Sequence, residues 1–125
     1  MAMTLFFNGQ TETVASQEKL RETLGRLDAV PQFELWLCVE DGPSLCMLRN
    51  TEHAWLMYLR HEGDSGFTSL GDPDRLGDQA YLLSNGQQDQ YPAAWCIDIA
   101  KCYEALVHFY RNDGAQAGWI HWLES

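Results

Sequence analysis

Two short stretches carry residue types that could do chemistry. Gly63-Asp64-Ser65-Gly66 has the local look of the nucleophile motif of chymotrypsin-type serine proteases. That chemistry needs a histidine base, an orienting aspartate and an oxyanion hole on a far larger double barrel. No second matching motif exists in these 125 residues. The stretch reads instead as a turn, with glycines at special backbone angles and Asp64 or Ser65 bonding nearby amides. His61-Glu62-x-Asp64 offers metal-ligand types, and a small metal-dependent hydrolase using His61, Glu62 and Asp64 is the alternative reading. Against it, H-E-x-x-H is absent and His53, His108 and His121 are scattered. A zinc site needs three or four convergent ligands.

Carboxylates continue downstream as Asp72-Pro73-Asp74 with Asp78. They lack the D-x-[DN]-x-[DN]-G order and distal Glu of a calcium loop. Glu62 with Asp64, or Asp72 with Asp74, would need opposed environments and a pocket to act as an acid/base pair. Both pairs lie in loop-rich sequence, where all four carboxyls stay ionised. No P-loop or dinucleotide fingerprint is present. The expectation is no catalytic residue, no metal and no cofactor.

These stretches share negative charge. From Glu62 to Asp98 there are seven acidic residues and one basic residue, Arg75. Glycine and proline interrupt the run repeatedly, so much of it is turn and loop. Clustered charge on loops held by an apolar scaffold fits a surface built to meet something positive. Acidity alone also serves solubility. The formal net charge is −10 with eight Lys and Arg residues. That disfavours nucleic acid, whose phosphates demand a basic surface, and anionic membranes for the same reason. A basic protein is the better partner.

The elements that must position these loops are legible in outline. The length and a 46% hydrophobic content fit one globular domain over residues 1–125. There is no basic n-region, no membrane-length apolar run and no C-x-x-C pair, so a reducing cytoplasm is expected. Met3–Phe7 is a short strand ended by Asn8-Gly9. Ser16 caps a helix to about Leu27, with Leu20, Leu24 and Leu27 on one face. Phe33–Glu40, Ser44–Arg49 and Ala54–Arg60 read as an antiparallel meander. Ala80–Leu83 and Gln87–Tyr91 flank Asn85-Gly86 as a hairpin. Trp95–Ile97 extends a strand, Asp98 caps a helix from Ile99 to about Arg111, and Trp119–Leu123 is an edge strand. Most tryptophans belong in the core, with Trp119 or Trp122 partly exposed at an interface. The expected architecture is α+β: an antiparallel sheet of about five or six strands, with two helices on one face.

The order Tyr58-Leu-Arg-His-Glu-Gly-Asp-Ser-Gly-Phe67, then Leu83-Ser-Asn-Gly-Gln-Gln-Asp-Gln-Tyr-Pro92, then a Trp and a helix, then Trp119-Ile-His-Trp122, is specific as a set. It resembles the first-numbered immunity-protein family of bacterial polymorphic toxin systems, over about Leu35 to Trp122. The resemblance implies a cytoplasmic antidote that binds one cognate toxin domain, 1:1, and blocks it without chemistry. Toxins paired with that family are often nucleic-acid deaminases. Such a toxin offers a basic cleft, which agrees with the charge reading. The expected partner-binding residues are Asp64, Asp72, Asp74, Asp78 and Asp89 for steering, with Phe67, Gln87 and Tyr91 for packed contacts and specificity. Gly63, Gly66 and Asn85-Gly86 are expected to shape the fold.

Overall fold

The computed structural model describes residues 3–125. Nine strands and two helices follow in chain order: β1 (Met3–Phe7), β2 (Gln10–Val14), α1 (Gln17–Leu27), β3 (Phe33–Val39), β4 (Ser44–Arg49), β5 (Ala54–Leu59), β6 (Phe67–Leu70), β7 (Asp78–Leu82), β8 (Gln88–Pro92), α2 (Ile99–Arg111) and β9 (His121–Glu124). Seven strands form one antiparallel sheet in the order β2-β1-β3-β4-β5-β6-β9, and β7-β8 form a separate hairpin. The α+β architecture is as expected, with more strands than the five or six read from the sequence. The extra strands are β2, a polar edge (QTETV), and β6, which lies within the glycine- and aspartate-rich stretch. Trp95–Ile97 is not a strand. Ala93–Trp95 is a 3₁₀ turn after Pro92, and Ile97 makes only a single bridge to Ala54. Asp98 stands at the N-cap of α2, but its side chain makes no capping bond.

The period of two along each strand decides the layers. Leu35 and Leu37 of β3, Leu45 and Met47 of β4, and Leu56 and Tyr58 of β5 point to one face. There they pack against Leu20, Leu24 and Leu27 of α1 and Cys102, Leu106 and Phe109 of α2. Ser16 caps α1 by accepting from the Lys19 amide at 3.0 Å. The Tyr58 hydroxyl donates to the Gly114 carbonyl at 2.7 Å, tying the end of α2 to the sheet.

The second face carries its own, smaller core of Cys46, Leu48, Trp55, Tyr81 and Cys96. The β7-β8 hairpin covers it. In β4, Leu45 through Leu48 are all buried, the mark of a strand with layers on both sides. Aromatic edges fill the layer: the Trp55 ring lies 4.7 Å from Tyr91 and 5.1 Å from Trp95.

Candidate functional site

The hairpin crosses the second face at one end of the sheet, pinned at three places. Gly71, at the end of β6, donates to the Ala94 carbonyl at 2.8 Å, and Asn50 Nδ2 to the Ala80 carbonyl at 3.1 Å. At the far end Glu34 of β3 takes the Ser84 amide at 2.9 Å and the Ser84 hydroxyl at 2.8 Å. The same carboxylate accepts from Trp36 Nε1 at 2.9 Å. Burial acts to raise the Glu34 pKa, but the Ser84 and Trp36 donors outweigh it and hold the carboxyl below its usual value.

A carboxylate with a depressed folded-state pKa stabilises above its unfolded value, and that contribution is lost as pH falls through the folded one. Acidification from neutrality to below the ordinary glutamate range therefore loosens the hairpin. Glu34→Ala is expected to cost about 2 kcal/mol, for three charge-assisted bonds at a partly buried site. Amide exchange in β7 and β8 should quicken while β3–β5 stay protected. Uniform exchange across both would show that Glu34 does not anchor the hairpin.

The residues expected to bind a partner fall into three groups. Asp72, Asp74 and Asp78 lie exposed at the loop between β6 and β7. Asp72 Oδ1 accepts the Asp74 amide at 3.0 Å, a side-chain-closed turn that holds the loop's shape. None of the three makes an ion pair among the described residues. Leu76, between them, is 91% exposed, which the sequence reading missed. Leu70 pairs with His121, so this loop leaves the sheet at the end where the half-exposed Trp119 enters it.

Gln87, Asp89 and Tyr91 lie on the hairpin. Gln87 Nε2 donates to Asp89 Oδ1 at 2.7 Å, and the Tyr91 hydroxyl donates to Asp89 Oδ2 at 3.3 Å. The Tyr91 ring belongs to the second core, stacked 6.0 Å from Trp95.

Asp64 and Phe67 form the third group, at the opposite end of the sheet from the Asp72–Asp78 loop. The Asp64 side chain is 5% exposed. It takes the Arg60 amide at 2.9 Å and the Arg60 guanidinium at 2.8 and 2.9 Å. Arg60 thereby holds the Asp64 carboxyl well below the usual carboxylate range. Phe67 packs on Tyr58, with the Arg60 guanidinium 5.1 Å above its ring.

His61, Glu62 and Asp64 do not converge. His61 Nδ1 lies 2.9 Å from the Glu62 carbonyl oxygen, and Asp64 is engaged by Arg60. Among the described residues no three His, Cys, Asp or Glu side chains are grouped to hold a metal. The alternative hydrolase reading therefore has no ligand set.

The hairpin leaves part of the second face uncovered. Beyond it the next row of β1, β3, β4 and β5, namely Thr4, Cys38, Ser44 and Leu59, stays partly exposed. A groove of about 640 Å³ lies over this row, between the β3-β4 turn at Asp41-Gly42 and the loop at His61–Gly63. Phe6 is 38% exposed on its floor. Asp41 and Glu62 stand in its lining, which includes no Lys or Arg. Of its lining residues, only His61 and Glu62 belong to a motif with chemical potential in the sequence. Among the described residues no helix is long and apolar enough to cross a membrane.

The family model described as Immunity protein Imm1 matches residues 8–124, nearly the whole chain. No curated protein matches the chain.

Proposed function

The chain belongs to the Imm1 immunity-protein family, and on that premise we propose that it neutralises one cognate toxin domain by covering the toxin's basic, nucleic-acid-binding cleft. The family match across residues 8–124 is the observation that carries this reading. A toxin that acts on nucleic acid, such as a deaminase, must bind a polyanion and so presents positive charge. This chain presents the opposite sign, with a formal net charge of −10. Five of its eight Lys and Arg residues (Lys19, Arg21, Arg26, Arg49 and Arg60) are paired with acids inside the fold. Asp72, Asp74 and Asp78 remain as exposed carboxylates, and we assign them the steering of encounter.

The action is stoichiometric occlusion in the cytoplasm, by one chain per toxin and without catalysis or cofactor. A complex of ordinary size buries about 1,600 Å² in total. A working antidote needs a nanomolar or tighter dissociation constant, about −12 kcal/mol. Asp64 contributes through the fold, since its carboxylate is engaged by Arg60. The test is to titrate the activity of a candidate toxin domain, sought first in the product of the adjacent gene, with the purified chain. Inhibition should be complete near one equivalent.

A further inference from the structure

We propose that the open groove on the second sheet face is the packed seat of the toxin, and that its occupant is an apolar side chain flanked by Lys or Arg on a toxin surface loop. This rests on the immunity-protein reading above and adds where the two proteins pack.

A sheet with apolar residues on both faces needs a layer on each. Here the two helices pack on one face, while the hairpin covers the other only as far as Trp36 and Ser84. The groove keeps an apolar floor of Phe6, Cys38 and Leu59. Its volume of about 640 Å³ is that of a real cleft. Interfaces are anchored by apolar side chains entering such pockets, with polar groups at the rim. Charge complementarity identifies the occupant. Asp41 and Glu62 at the mouth, with no cation in the lining, favour a flanking Lys or Arg and repel a phosphate backbone or an anionic lipid surface. A small polar ligand would want convergent buried polar groups, whereas His61, Glu62 and Asp41 are solvent-exposed. The acidic Asp72–Asp78 loop lies at the other end of the sheet, as the Leu70–His121 and Phe67–Glu124 pairings require. Steering acts over a distance, so the two regions divide the work: the loop guides approach and the groove packs.

Cys38 supplies an internal probe. It is the one cysteine that is not buried, and it lines the groove. Burial pushes its thiol pKa up, against the opposing Ser44 bond, so labelling is run at mildly alkaline pH.

The experiment uses the full chain and the same candidate toxin domain, in catalytically inactive form. Phe6→Ala and the double variant Asp41→Asn, Glu62→Lys, in which Asn suits the left-handed backbone at 41, are each expected to weaken binding about 30-fold or more, the scale of a hot-spot residue. The double variant changes only exposed residues, so it remains informative if Phe6→Ala perturbs β1. Maleimide labelling of Cys38 should slow at least about tenfold in the complex, following pocket desolvation at an interface core. Wild-type affinity in both variants, with Cys38 labelled equally fast free and bound, would overturn the groove assignment and leave the immunity reading intact. Failure of the wild-type chain to bind the toxin at all would instead remove the reading on which it rests. Concentration-dependent protection of Cys38 in the free chain would assign the groove to a second copy and also overturn the proposal.

Discussion

Gly66→Ala is expected to destabilise the fold by about 3 kcal/mol, combining backbone strain with overpacking. Gly66 has φ +72, where an L side chain is strained. A Cβ there would stand 2.5 Å from the Tyr58 carbonyl oxygen and 2.6 Å from Leu59 Cδ2. The first is backbone of a central strand and cannot move aside without disturbing the β5-β6 pairing at Tyr58 and Phe67. The Gly66 carbonyl also accepts the Ser125 amide at 2.9 Å, so displacement would loosen the chain's end beside β9. Gly63, three residues earlier, separates the two causes. Its φ is +83 but no atom lies within 4 Å of a Cβ. Gly63→Ala therefore carries the strain alone, about 1 kcal/mol. Gly25 within α1 has neither constraint, and Gly25→Ala should stabilise by about 0.5–1 kcal/mol. Denaturant midpoints at constant m-value read the series. Equal midpoints for Gly66→Ala and Gly63→Ala would show that the close approach to Tyr58 does not exist.

Reversing the loop's charge is expected to cut the association rate with the toxin by about tenfold or more at low salt, the range over which steering acts. The variant combines Asp72→Asn, Asp74→Lys and Asp78→Lys. Asparagine at 72 keeps an acceptor for the Asp74 amide, so the turn survives while the charge goes. The dissociation rate should change far less, because rim charges act mainly on encounter. Ionic strength supplies the control. Wild-type association should slow steeply with added salt as the Debye length falls to about 8 Å at 0.15 M, and the variant should respond weakly. Identical rates and identical salt slopes would refute the steering role of these three aspartates.

The helix-bearing face could be read from the sequence because one apolar period ran through each element. Leu20, Leu24 and Leu27 along α1, and Leu35 and Leu37 along β3, are inward in the structure as the spacing requires. The second face was harder. Its cover is a hairpin whose strands contain Gln, Asp and Pro and give little apolar alternation. The signal that a second layer exists lies in β4, where Leu45-Cys46-Met47-Leu48 is apolar on both parities. Strand β6 stayed hidden because Phe-Thr-Ser-Leu is short and sits beside Gly66 and Gly71, where turn residues dominate. Charged residues could be placed in loops, but their partners could not. Nothing in the spacing announces that Arg60 wraps Asp64, or that Glu34 reaches Ser84 fifty residues away. The groove was invisible for the same reason: Phe6, Cys38, Asp41 and Leu59 come from four separate segments that only the sheet register brings together.

The direct test of the central claim is toxin activity against added chain. The candidate toxin domain is held well above the nanomolar dissociation constant proposed above, with its own substrate present. Activity should fall linearly and reach zero near one equivalent, with partial relief when salt is raised. Full activity in the presence of several equivalents of folded chain would contradict the claim.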